Sequence, residues 1–228
     1  MPDRAPPRFD PPRHDALKAR HRSLRENHPP ELSLRLHRAL SWLKRAEAET
    51  EDVDARFVFL WIAFNAAYAD DPDDPAAHRG DRGAFMAFLA RLVEADGAGR
   101  IQAVLMERFP HEIRLLFDNR YVFGPFWDWH NGRGGAWETR FEAHRREALR
   151  ALGAGEVRRT LSLLFETLYV LRNQLLHGGA TWGSSVNRGQ VRDGARILGA
   201  LTPLFIEVMM EAPDRDWGRP HYPVVPGD

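Results

Sequence analysis

Three residues of this sequence have types and spacing that suit phosphate chemistry. They are Arg172, Asn173 and His177, in the stretch LYVLRNQLLHGG over residues 168–179. A guanidinium binds phosphate oxygens in pairs, and an imidazole exchanges protons near neutral pH. Together with an amide, these groups can bind a phosphate, move a proton and position a 2′-hydroxyl.

The element that must position these residues is a long helix, predicted over 156–177 and ended by Gly178 and Gly179. On an ideal helix, Asn173 and His177 are four residues apart and share a face. Arg172 projects inside an apolar arc formed by Leu161, Leu164, Phe165, Leu168, Leu171 and Leu175. A guanidinium in such an arc must be paired with an acid, or must serve a cavity or an interface.

The spacing of Arg and His has a structural alternative. Pairs in which His follows Arg by five or six residues occur four times in the chain: Arg8/His14, Arg22/His28, Arg172/His177 and Arg215/His221. Only the third pair lies on a predicted long helix. In the structural alternative, Arg172 is buried against an acid and His177 only caps the helix, and spacing alone leaves both interpretations open.

The rest of the sequence predicts an all-α protein, a helical bundle with short connections. Helical periodicity begins at Glu31, where leucines recur on one face, and a helix that is apolar nearly all round ends at Ala69. Further helices are predicted over 82–94, 99–109, 137–152 and 188–211. The stretches 70–80 and 123–135 are predicted as loops, the second rich in aromatic residues and glycine.

Proline divides the chain into three parts. Residues 1–30 form a Pro- and Arg-rich arm, expected to be extended with one short helix over 15–27. Residues 31–212 form the helical domain, with additional helices beyond the minimal bundle. Residues 213–228 form an irregular C-terminal tail.

Composition excludes several classes of function. The chain has 228 residues and no Cys, which excludes thiolate metal sites and cysteine nucleophiles. The net charge is zero, so bulk basicity does not indicate nucleic-acid binding. A local patch is compatible with it, because residues 140–196 hold 10 basic and 5 acidic side chains. With no apolar segment long enough for a signal peptide or membrane span, we expect a cytoplasmic protein without membrane contact.

Arg172-Asn173-x-x-x-His177 at the end of a long bundle helix resembles the signature of HEPN domains. The apolar stretch WIAFNAAY (61–68) and the continuation HGGATWGSSVNRGQVRDGARIL (177–198) resemble uncharacterised HEPN-like proteins. The resemblance covers about residues 31–211. HEPN domains are all-α domains of prokaryotic toxins, defence systems and RNA-processing enzymes.

The resemblance implies a metal-independent endoribonuclease that acts as a homodimer. By position, Arg172 would stabilise phosphate charge, His177 would act as general base or acid, and Asn173 would orient the pair or the RNA. The RNA 2′-hydroxyl would attack the adjacent phosphate, with no cofactor. The alternative is a non-catalytic HEPN-like module that dimerises or binds a partner, such as a protein antitoxin or regulator. Toxins silenced by nucleotidyl transfer carry a Tyr where this chain has Gly179, which puts an antitoxin of that kind in doubt.

Other residues are candidates around the motif. Trp182, Arg188 and Arg192 lie in the continuation that resembles HEPN-like proteins and are candidate RNA-binding residues. Asn65 interrupts the central apolar helix, so its amide either supports Arg172 or bonds to a backbone carbonyl. No metal site is predicted, because the histidines at 14, 21 and 28 would be about 10 Å apart along a helix.

Overall fold

The computed structural model describes residues 10–69 and 81–222, and within these ranges the chain forms ten α-helices and no β-strand. The helices are α1 (His14–Leu24), α2 (Pro30–Ala48), α3 (Val53–Tyr68), α4 (Asp81–Ala95), α5 (Arg100–Ala103), α6 (Pro110–Phe117), α7 (Gly124–His130), α8 (Glu138–Gly153), α9 (Val157–Leu176) and α10 (Arg188–Glu211). The prediction of an all-α protein is confirmed. The predicted loop over 70–80 lies outside the described residues.

Helix α3 is the centre of the bundle, as its nearly uniform apolarity predicts. Asp52 caps its first turn by accepting a hydrogen bond from the Ala55 N–H at 2.9 Å. Along the helix, Trp61 and Phe64 are fully buried and contact Phe165 of α9. Full burial of each such side chain contributes about 2–3 kcal/mol to folding, so this aromatic cluster ties α9 to the core.

Residues 14–27 depart from the expected extended arm. A helix does form there, continued by a 3₁₀ turn over Arg25–Asn27, but α1 packs against α2 and α10. Leu17 is 1% exposed and His21 is buried beside it, because residues spaced three and four apart form a stripe that needs a core. The Pro-rich stretch before residue 10 lies outside the described residues.

The aromatic stretch 123–135 was predicted as a loop, and this prediction is wrong for its first half. Helix α7 occupies Gly124–His130, with Pro125 in its first turn, where proline is compatible with helix. Phe126 stacks on His130 one turn later and meets Trp137 edge-on at 5.0 Å. Aromatic packing at helical spacing thus organises a segment whose glycines suggested a loop.

The helix predicted over 99–109 is present but changes its winding. After α5 the chain continues as a π-helical turn over Val104–Arg108, and Pro110 starts α6.

The chain after α10 is irregular as predicted, yet Trp217 is only 3% exposed. In the described ranges, no helix combines the length and apolarity needed to cross a membrane.

Candidate functional site

The end of α9 is closed by the backbone alone. The His177 N–H donates to the Asn173 carbonyl at 3.0 Å, and the Ala180 N–H donates to the Gln174 carbonyl at 2.9 Å. Gly178 makes this closure possible with a left-handed φ of 70°. The imidazole of His177 is exposed and makes no hydrogen bond with any described residue. His177 thus occupies the C-cap position of α9 through its backbone, as the structural alternative expects, and its imidazole takes no part in this closure.

Arg172 is half-buried and is paired with no carboxylate of the described residues. Its Nη1 donates to the Asn173 Oδ1 at 2.8 Å, and its guanidinium lies 5.6 Å from the centre of the Tyr169 ring. Its Nε is buried without a hydrogen-bond partner. A buried donor without a partner costs about 1–3 kcal/mol. The guanidinium thus retains hydrogen-bonding capacity that the fold does not use.

Two further unsatisfied polar atoms lie on α3 across from α9. They are Trp61 Nε1 and Asn65 Oδ1, both buried and without a hydrogen-bond partner among the described residues. Trp61 is 6.1 Å from Tyr169, the ring that lies against Arg172. Asn65 makes no hydrogen bond with Arg172, so its supporting role stays a prediction.

The loop after α9 is held by two acids at the start of α3. Trp182 Nε1 donates to Asp52 Oδ2 at 2.9 Å, and the Gly183 N–H donates to Asp54 Oδ2 at 2.8 Å. Arg188 binds both carboxylate oxygens of Asp54, at 2.8 and 3.1 Å. The Ala55 N–H, followed by the Trp182 indole, lowers the pKa of Asp52 and keeps this carboxylate charged.

Because of these and neighbouring contacts, the three predicted RNA-binding residues differ in how accessible they are to a ligand. Trp182 is 75% exposed, although its indole nitrogen is engaged. Arg188 has its guanidinium committed to the Asp54 ion pair. Arg192 contacts the neighbouring Asp193 at 3.4 Å and keeps an exposed side chain. Trp182 in the loop therefore presents an exposed ring, and Arg192 in α10 presents an exposed guanidinium that is paired with Asp193.

Three large apolar side chains at and after the end of α9 are exposed. Leu176 is 42% exposed, Trp182 is 75% exposed and Val186 is 89% exposed. Trp182 also lines a groove of about 320 Å³ together with Phe59 and Leu175. Exposed large apolar side chains are compatible with an interaction surface.

A cavity of about 460 Å³ adjoins the motif on the other side of α9. Asn173 lines it, together with Arg82, Arg140, His144 and Glu166. Desolvation by burial lowers the pKa of His144 and favours its neutral form. Arg140 and His144 were not among the residues predicted from the sequence, although they share a face of α8 at a spacing of four. That spacing is common in charged helices. Only the packing of α8 on α9 brings the two side chains into the wall of a cavity.

Among the described residues, no group of three or more His, Asp or Glu side chains is arranged to hold a metal ion. His14, His21 and His28 are buried separately in the bundle. The side chains near the motif instead offer guanidinium, amide and imidazole groups. This set suits binding of an anion and proton transfer.

In comparisons with known proteins, no family model, no curated protein and no solved structure matches this chain.

Proposed function

We propose that this protein is a HEPN-like, metal-independent endoribonuclease whose active site is formed by Arg172, Asn173 and His177. The observation that carries the proposal is the state of Arg172. Its guanidinium is half-buried, it is paired with no described carboxylate, and one of its nitrogens is buried without a partner. A fold tolerates such a group where a ligand supplies the missing partner.

In the proposed reaction, the 2′-oxygen of a ribose attacks the adjacent phosphorus and the bond to the 5′-oxygen breaks. The products are a 2′,3′-cyclic phosphate and a 5′-hydroxyl. The exposed imidazole of His177 takes the proton of the 2′-hydroxyl or gives a proton to the leaving oxygen. Arg172 stabilises the charge that accumulates on the phosphate oxygens. Asn173 holds the guanidinium in place through the 2.8 Å hydrogen bond.

The geometry of α9 favours a site shared by two chains. Arg172 and His177 are five residues apart, so their side chains diverge by about 140° on an ideal helix. One chain therefore presents the two groups in different directions, whereas two copies can bring one arginine opposite the other copy's histidine. The exposed Leu176, Trp182 and Val186 provide apolar surface for this contact. We expect a homodimer with the C-terminal ends of the two α9 helices close together.

Cleavage of single-stranded RNA in excess EDTA tests the catalytic proposal. Wild-type protein is expected to cleave, His177→Ala and Arg172→Ala to lose at least about a hundredfold in rate, and Asn173→Ala to lose less. His111→Ala and Arg114→Ala are matched controls, because both residues are exposed on α6. Equal cleavage by wild type and His177→Ala would refute the proposal, as would no cleavage across a broad panel of RNAs.

Light scattering tests the dimer independently. A 26.1 kDa species alone at tens of micromolar protein would contradict the shared site. Leu176→Glu is expected to dissociate the dimer, because a carboxylate would be buried in an apolar contact.

The second candidate is a non-catalytic module that dimerises or binds a protein partner. The exposure of Trp182 and Val186 favours it, because apolar surface of this kind serves either function. A dimer that shows no RNA cleavage, and that Leu176→Glu dissociates, would support this candidate over the enzyme.

A further inference from the structure

We infer that the 460 Å³ cavity between α8 and α9 binds a guanine nucleotide, either free or as the guanosine next to the cleaved phosphate of an RNA. The second use rests on the proposed ribonuclease function. The volume lies within the usual range of small-ligand sites, about 300–1,000 Å³. It is bounded by α8, α9, the start of α4 and the chain leading into α7.

Two walls of the cavity suit a flat ring. Phe123 and Tyr169 line the cavity with aromatic side chains, and Val170 adds an apolar one. Aromatic side chains stack on any nucleobase, which contributes about 1–3 kcal/mol per base. Stacking therefore explains a base in the cavity but does not choose among the four.

The polar groups that line the cavity can select guanine among the four bases. Arg140 lines the cavity and forms no ion pair with any described residue, whereas Glu166 lines it and is paired with Arg82 at 2.6 Å. Guanine presents two acceptors, O6 and N7, which a guanidinium binds in a bidentate manner. The same base carries donors at N1 and N2, which a carboxylate accepts. Adenine and cytosine present an amino group where guanine has O6, and uracil has a single ring N–H.

The cavity also connects to the proposed catalytic residues. Asn173 lines it, and the Asn173 Oδ1 accepts the hydrogen bond from Arg172. A base held beside Asn173 places its own nucleotide next to the guanidinium that would bind the phosphate. His144, kept neutral by burial, offers one donor and one acceptor without adding charge.

Calorimetric titration of the full-length protein with GMP, AMP, CMP, UMP and inorganic phosphate tests the site directly. GMP is expected to bind at least about tenfold tighter than AMP, the factor that one good bidentate pair supplies. Glu166→Gln is expected to abolish this preference. Val170→Phe is expected to weaken the binding of every nucleotide by filling the cavity. Glu142→Gln and Arg146→Ala on α8 are matched controls outside the cavity lining, and circular dichroism verifies that each variant is folded.

Two results overturn the inference: GMP and AMP affinities within about threefold of each other, or unchanged GMP binding by folded Val170→Phe. Cleavage assays on two RNAs, one with and one without guanosine, distinguish failure of this inference from failure of the proposed ribonuclease function. Cleavage at G sites in a G-containing RNA, with little cleavage of a G-free RNA, supports the guanosine subsite. Cleavage of both RNAs without preference for G overturns the subsite and leaves the ribonuclease standing. Selective GMP binding without cleavage of either RNA supports a site for free guanine nucleotide and refutes the ribonuclease.

Discussion

The molecule buries two arginines in different ways. Arg35 of α2 is 0% exposed, and backbone carbonyls surround its guanidinium. Its nitrogens donate to the carbonyls of Ala67 and Ala69 at the end of α3, at 3.2 and 2.9 Å. They also donate to those of Gly218 and Arg219 in the C-terminal segment, at 3.3 and 2.8 Å. One guanidinium thus satisfies the end of a helix and ties the C-terminal segment to the bundle.

Arg172 carries the same guanidinium group, but most of its hydrogen-bonding capacity is unused by the described residues. Its contacts within the described residues are one side-chain amide and one aromatic ring, and its Nε is unsatisfied. Removing Arg35 would leave several backbone carbonyls without donors, whereas removing Arg172 would leave few groups unpaired. The comparison indicates that Arg35 stabilises the fold, and it supports the proposal that Arg172 binds a ligand.

The largest expected effect belongs to Arg35. Arg35→Leu is expected to cost about 3–5 kcal/mol of folding free energy, because it leaves buried carbonyls unpaired. In a domain of this size that corresponds to a fall in Tm of about 6–20 °C. Thermal denaturation measures it, with Arg114→Leu as the exposed control. A change below about 2 °C would show that water replaces the guanidinium and would remove the contrast with Arg172.

A second, smaller effect concerns the pH dependence of stability and the buried His21 of α1. Burial, aided by the positive charge of Lys18, lowers the pKa of His21 to about 4. Above pH 6.5 this histidine is neutral in both the folded and the unfolded chain. As pH falls from 6.5 toward 4, the unfolded chain takes up a proton that the folded chain resists. Stability is therefore expected to fall across this window by on the order of 1 kcal/mol, which denaturation at several pH values measures.

Substitution of His21 tests this pH dependence directly. His21→Leu is expected to flatten the slope, while the lowered pKa values of His28 and His37 maintain part of it. An equally steep slope in His21→Leu would mean that buried carboxylates or the other histidines dominate.

The smallest expected effect on stability is that of Arg172→Ala. It removes a cation–π contact of about 0.5–1 kcal/mol and at the same time removes an unsatisfied buried donor, and these changes offset each other. We expect a Tm within about 2 °C of wild type, measured beside Arg35→Leu under the same conditions. A fall comparable to that of Arg35→Leu would make Arg172 a structural residue and would withdraw the main support for the catalytic proposal.

Much of the secondary structure was predictable, because apolar residues recur with helical spacing through α2, α9 and α10 and because α3 is apolar nearly all round. The segment at α7 was not, since its glycines indicated a loop while the stacking of Phe126 on His130 depends on neighbours brought in by Trp137. The burial of α1 was also missed. Its apolar stripe is short and lies between prolines, and only docking on α2 and α10 gives it a core.

The candidate site, too, was predictable only in part from the sequence. The sequence by itself placed Arg172, Asn173 and His177 at one helix end, because their spacing and the glycines after them depend only on local geometry. Tertiary structure decided which polar groups are satisfied. It pairs Arg188 with Asp54, leaves Arg172 without a described carboxylate, and encloses a cavity beside Asn173. Such pairings join residues more than a hundred positions apart, and no local pattern encodes them. Only the packing of whole helices determines whether a polar side chain meets a partner or stays available to a ligand.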